Sequence, residues 1–145
     1  MLVQAILKTK ATEGVVSVPS STTISDVAKI LAEKRIGTVV ISDDDGATAL
    51  GILSERDIVR ELAVSGSGCL FGTAGTYMTK NVVTCGRNDK VQDILQKMTE
   101  GRFRHVPVLE EGKMIGLISI GDLVKAQLAE LAMEKDALQG MIMGH

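Results

Sequence analysis

Gly51-Ile52-Leu53-Ser54-Glu55-Arg56-Asp57 and Gly116-Leu117-Ile118-Ser119-Ile120-Gly121-Asp122 decide the reading of this chain. Each runs glycine, two apolar residues, serine, then aspartate three residues after the serine. Extended to Arg60 and Lys125, four of ten positions are identical at an offset of 65. Upstream, residues 15–41 lie on 82–108 at an offset of 67 with six of 27 identical, among them Asp26/Asp93, Arg35/Arg102 and Val39/Val106. Conservative pairs such as Ile24/Val91, Val27/Ile94 and Leu31/Met98 fall where a core needs them. The offsets differ because the first copy has a turn two residues longer. Two copies are too few for an open solenoid. They are expected to face each other about a pseudo-two-fold axis.

Each copy reads β-α-β-β-α. A short extended piece (Val15–Val18; Val82–Cys85) precedes an amphipathic helix. Ile24, Val27, Ala28, Leu31 and Val91, Ile94, Leu95, Met98 keep the i, i+3, i+4, i+7 spacing of one helical face. Thr23 with Asp26, and Asp89 with Gln92, are the expected start caps. A β-branched run Thr38–Ile41, matched by His105–Leu109, leads into an acidic glycine turn. A second strand follows at Ala49–Leu53 and Met114–Ile118, and a second helix starts at Ser54 and Ser119. The class is therefore α/β (α+β). Repeat one with its lead-in segment spans 1–64, a Gly/Ser-rich linker 65–76, repeat two 77–128, and a C-terminal helix or tail 129–145. In that tail Val124, Leu128, Leu131, Leu138 and Ile142 follow a 4-3 pattern that Lys135 interrupts. This is the pattern of an amphipathic docking helix rather than a long coiled coil.

Composition narrows the function. A net charge of −2 gives no positive field for nucleic acid, and Phe71, Phe103 and Tyr77 are too few for a base-stacking platform. No apolar run reaches the length of a membrane span. The two cysteines, Cys69 and Cys85, make no disulfide framework, and the start shows no secretory signal. The expectation is a cytoplasmic protein with no nucleic-acid or membrane partner.

The paired Gly-apolar-apolar-Ser-x-x-Asp segments, with Arg35–Val40 and Arg102–Val108, resemble a tandem CBS domain, or Bateman module, of the stand-alone bacterial type. The resemblance covers residues 3 to 128. It implies a regulatory sensor without catalysis that binds adenine nucleotides in clefts shared by the copies. AMP leads the expected ligands, followed by ADP, ATP or NAD(H). It also implies a homodimer and an unidentified regulated protein. The first cleft is expected to bring Ser17 and Val18 to Arg104, His105, Ser119 and Asp122. The second is expected to bring Thr84 and Cys85 to Gly37, Thr38, Ser54 and Asp57.

The residue chemistry fits that expectation. A helix start offers unpaired N–H groups to a phosphate, and a serine hydroxyl there can donate to it. An ionised aspartate can accept from the two hydroxyls of a ribose. The apolar pieces Val15–Val18 and Val82–Cys85 can flank a purine. Ser-x-x-Asp is equally the pattern of a helix capping box, and the two readings are compatible. Arg104 and His105 favour the first cleft for phosphate. Arg56 is the candidate cation of the second, and Lys8 and Lys10 on the lead-in are further candidates. A non-catalytic dimerisation or assembly module with empty or vestigial clefts is the alternative function.

Other motifs carry less. Asp43-Asp44-Asp45-Gly46 lacks the ligand spacing of a calcium loop and reads as a hairpin turn. His105 and His145 with the cysteines lack metal-ligand spacing. Cys85 reads as a buried thiol before a redox-active one. No nucleophile–base pair suggests an enzyme.

Overall fold

In the computed structural model, which describes residues 1–9 and 15–142, the amphipathic stretches form helices α2 (Ile24–Lys34) and α5 (Val91–Gly101). Their apolar faces are buried through Ile24, Val27 and Leu31, and through Val91, Ile94 and Met98. Each such side chain contributes about 1.5–3 kcal/mol by leaving water. Both helices stop at equivalent arginines in left-handed backbone, Arg35 (φ 54°) and Arg102 (φ 57°). The Thr23 hydroxyl accepts from the Asp26 amide at 3.2 Å, so α2 has its expected cap. The expected Asp89–Gln92 cap is corrected. Lys90 stands at the N-cap of α5 without a side-chain bond, and the Asp89 carboxylate accepts from Gly86 N at 2.8 Å. Gly86 lies upstream of the helix, so the aspartate closes the preceding turn.

In copy one, β1 (Ser17–Val18) pairs in parallel with β2 (Thr38–Ile41), and β2 pairs antiparallel with β3 (Gly51–Ser54). In copy two, β4 (His105–Glu110) pairs antiparallel with β5 (Lys113–Ser119), with His105 opposite Ser119. The extended piece expected at Val82–Cys85 shrinks to one parallel bridge, Cys85 to Val108. Val83 and Thr84 lie exposed, without the ladder partners that Ser17 and Val18 have. The strand expected at Ala49 begins at Gly51, because Asp44 and Ser42 organise the chain before it. Ser42 Oγ and the Thr48 amide each donate to Asp44 Oδ1 at 2.7 Å.

The second helices are α3 (Glu55–Ser65) and α6 (Ile120–Ile142). Between the copies, the Gly/Ser-rich stretch forms a 3-10 turn (Ser67–Phe71) and the short helix α4 (Ala74–Tyr77), with Cys69 and Ala74 buried.

The lead-in segments cross over. Helix α1 (Val3–Thr9) packs into copy two, where Val3 and Ile6 join Val91, Ile94, Met98 and Leu123 in one core. Leu70, Ala74, Tyr77 and Met78, which precede copy two, pack into the core of copy one. The backbone bonds match pair by pair. Met1 O accepts from Val91 N and Gly72 O from Ile24 N. Val3 N donates to Asp89 O and Ala74 N to Thr22 O, while Gln4 N donates to Arg87 O and Gly75 N to Ser20 O. Each copy's first helix is thus started by the other copy's lead-in.

The repeated glycine has its explanation here. A Cβ on Gly51 would stand 2.5 Å from Thr79 O, and one on Gly116 would stand 2.7 Å from Leu7 Cδ2. The glycines of the motif give the crossing segments room.

Candidate functional site

Both Ser-x-x-Asp motifs form reciprocal capping boxes. Ser54 Oγ accepts from Asp57 N at 3.2 Å while Asp57 Oδ2 accepts from Ser54 N at 2.9 Å. Ser119 and Asp122 repeat this at 3.1 and 2.9 Å. The first amide of each helix is also taken: Glu55 N donates to Gly37 O at 2.9 Å and Ile120 N to Arg104 O at 2.8 Å. These bonds tie each second helix to the chain entering the strand beside it. The helix starts are largely satisfied from within, and anion affinity there rests on side chains more than on amides.

A cavity of about 600 Å³ opens between the copies, within the usual size range of small-molecule sites. Copy one lines it with Val15, Val16, Lys34, Ile36, Gly37 and Thr38, and copy two with His105, Ile115, Gly116, Leu117 and Ser119. Thr38 Oγ1 and His105 Nδ1 are hydrogen-bonded at 3.1 Å. They are equivalent positions of the two copies, so this bond lies at the pseudo-two-fold axis and joins the halves. Five aliphatic side chains form the walls. Among the described residues, hydroxyls, an imidazole and the exposed Lys34 supply the polar groups, and no carboxylate lines the space.

The cavity gathers residues expected in different clefts: Gly37 and Thr38 from one set, His105 and Ser119 from the other. Val15 and Val16 line it, whereas Val18 is buried in the core of copy one and Ser17 lies against Gly46. Arg104 is exposed and absent from the lining; its carbonyl holds Ile120. Asp57 and Asp122 sit half-buried in their capping boxes, and Asp57 Oδ1 pairs with Arg60 Nη1 at 3.5 Å. Arg56 lies with Glu55, Val59 and Arg60 along a separate groove on α3. Thr84 is exposed. Cys85 is in the core of copy two, where burial first, and then Asp89, push its thiol up to about 11. Lys8 is exposed at the end of α1, and Lys10 and His145 lie outside the described residues. Among the described residues, no cluster of three His, Cys, Asp or Glu could hold a metal ion.

Sequence reasoning missed Lys34, the cavity's ammonium. The signal was available: at the 67-residue offset Lys34 falls on Gly101, a charge present in one copy alone. The neighbouring Arg35/Arg102 pair, identical in the two copies, is the stronger repeat signal at that point.

Known proteins match both the sequence and this geometry. A profile of the CBS domain matches residues 4–64 and 74–129. The mitochondrial CBS domain-containing protein CBSX3 of Arabidopsis thaliana is 34% identical over 125 residues, which are 84% of this chain and 61% of that one. This chain therefore spans about three-fifths of that relative. A CBS-domain-containing protein from Agrobacterium tumefaciens is 43% identical with a TM-score of 0.82, covering 88% of this chain and 99% of that one. A CBS domain protein from Pyrobaculum aerophilum, complexed with AMP, is 31% identical with a TM-score of 0.75, covering 92% and 99%. The CBS domain pair of protein MJ0100, in complex with 5′-methylthioadenosine and S-adenosyl-L-methionine, is 25% identical with a TM-score of 0.75, covering 90% and 98%. With its repeated strand-to-helix corners, its crossed lead-ins and these matches, the chain belongs to the CBS-domain family and carries two CBS domains in tandem.

Proposed function

We propose that the cavity between the copies takes an adenine nucleotide, AMP first and ADP, ATP or NAD(H) as the wider set, and that the chain is a cytoplasmic regulatory sensor that binds without catalysis. The observation that carries this reading is the cavity's lining. Val15, Val16, Ile36, Ile115 and Leu117 offer apolar faces to a flat ring. Gly37 permits close approach of backbone to ligand. Ser119 Oγ accepts within its capping box and retains its proton for a ligand oxygen, while Asp122 keeps that serine in place. The ligands of the Pyrobaculum and MJ0100 proteins share an adenosine moiety, which supports the same class here. A mate cleft is proposed across the pseudo-two-fold axis, where Arg104 and Ser54 stand at the positions equivalent to Gly37 and Ser119. Because each cleft draws on both copies, a ligand that favours one arrangement of the copies shifts the pair toward it, by no more than its difference in affinity. The regulated partner is a separate protein.

The test is a thermal-shift panel with AMP, ADP, ATP, NAD and S-adenosylmethionine. At 100 times Kd a ligand adds about 2.7 kcal/mol of stability. The expected result is a rise in Tm with a subset that includes AMP, without loss of the nucleotide over time. A panel that stays flat defeats the reading. Ser119→Ala should lower the ligand-free Tm, since losing a cap costs about 1 kcal/mol, and should shrink the ligand shift. An undiminished shift would leave the serine as a cap only.

The second reading, a homodimeric assembly module with empty clefts, is favoured by a separate observation. Val124, Leu128, Leu131, Leu138 and Ile142 lie exposed along α6.

A further inference from the structure

The ligands of the related pairs differ at one end. AMP carries an anionic phosphate, 5′-methylthioadenosine an uncharged thioether, and S-adenosylmethionine a sulfonium. The adenosine they share cannot discriminate among them, but the charge of the cleft can. Resting on the binding reading above, we infer that Lys34 is the specificity-determining residue of this cavity, selecting an adenine nucleotide with a phosphate over an uncharged adenine nucleoside. Among the described residues, Lys34 is the lining's one permanently charged residue, the other polar groups being hydroxyls and an imidazole with no carboxylate. Among the described residues, no carboxylate stands within 4.0 Å of it. The cavity is partly open and Lys34 is exposed at its edge, where an ammonium facing a phosphate forms a charge-assisted hydrogen bond.

The placement is built into the fold. Lys34 is the last residue of α2, and the left-handed Arg35 turns the chain directly into the lining residues Ile36, Gly37 and Thr38. Copy two has Gly101 at the equivalent position. A Cβ on Gly101 would stand 2.3 Å from the Phe103 ring. The lysine therefore marks this cleft and not its mate. At a helix C-terminus it also favours the helix dipole, so its effect on stability does not separate the roles, whereas its effect on ligand preference does.

The experiment is calorimetric titration of the full chain with AMP and with 5′-methylthioadenosine, for the native protein, Lys34→Gln and Lys34→Arg. The native protein should bind AMP about tenfold more tightly, in line with a hydrogen bond to a charged group. Lys34→Gln should bring the two affinities together with 5′-methylthioadenosine unchanged, and Lys34→Arg should keep the preference. A preference that survives in Lys34→Gln, or equal affinities in the native protein, overturns the inference while the binding reading stands. Failure of the native protein to bind either compound overturns both.

Discussion

Asp44 shows how much one carboxylate does in the first copy's hairpin turn. Its Oδ1 receives the Ser42 hydroxyl and the Thr48 amide, each at 2.7 Å, and these bonds hold its pKa down at about 2. The unfolded value is about 3.9. A carboxyl depressed in the folded state contributes stability above its unfolded pKa and loses it as pH falls through the folded value. Asp44→Ala should therefore melt below the native protein above pH 5, and the gap should close between about pH 4 and 2. Melting curves followed by circular dichroism across that range check this. A gap that does not change with pH would mean that the ionised form adds nothing. The motif serines and aspartates were legible in the sequence, since hydroxyl and carboxylate at that spacing are a capping box whatever else they do. Which of them line the cavity was not legible. That depends on the crossing of the copies, which places Gly37 and Thr38 beside His105 and Ser119 and leaves Arg104 outside.

At the scale of elements, the helices and main strands follow from periodicity, because a buried face leaves the same trace in any copy. The crossed lead-ins leave no such trace. Met1–Thr9 and Gly72–Lys80 occupy equivalent places, yet share little beyond small or apolar residues such as Val3 and Ala74. Their partners lie in the other copy, so the pairing rests on backbone bonds that no side-chain pattern records. The glycines beneath them do record it. At Gly51 the obstacle to a methyl group is the Thr79 carbonyl of the backbone, whereas at Gly116 it is the movable end of Leu7. Gly51→Ala should accordingly cost about 2 kcal/mol, in the range of overpacked cores, and Gly116→Ala about half of that. Urea denaturation of the two variants measures both. Equal losses, or a larger loss at Gly116, would show that the crossing segment shifts easily and is not what the glycine serves.

For the whole molecule, the apolar surface that folding leaves uncovered is concentrated outside the cavity. Along α6, Leu128 is 62% exposed, Leu138 58% and Ile142 76%. On copy one Val59 is 64% exposed, and between the copies Phe71 is 86% exposed. The stripe on α6 keeps its 4-3 spacing past the end of the repeat, which a helix without an apolar partner does not need. A second copy of the chain presents the same stripe, and if two of them bury each other the assembly is a closed pair. Sedimentation equilibrium should then give a mass twice 15.4 kDa. Leu128→Glu combined with Leu138→Glu should return the chain to a single copy with its helical signal intact, because neither side chain is in the folded core. If that variant loses ligand-induced stabilisation along with its partner, assembly and the cavity are linked. If it keeps both its mass and its ligand response, the stripe has some other use and the paired arrangement is wrong.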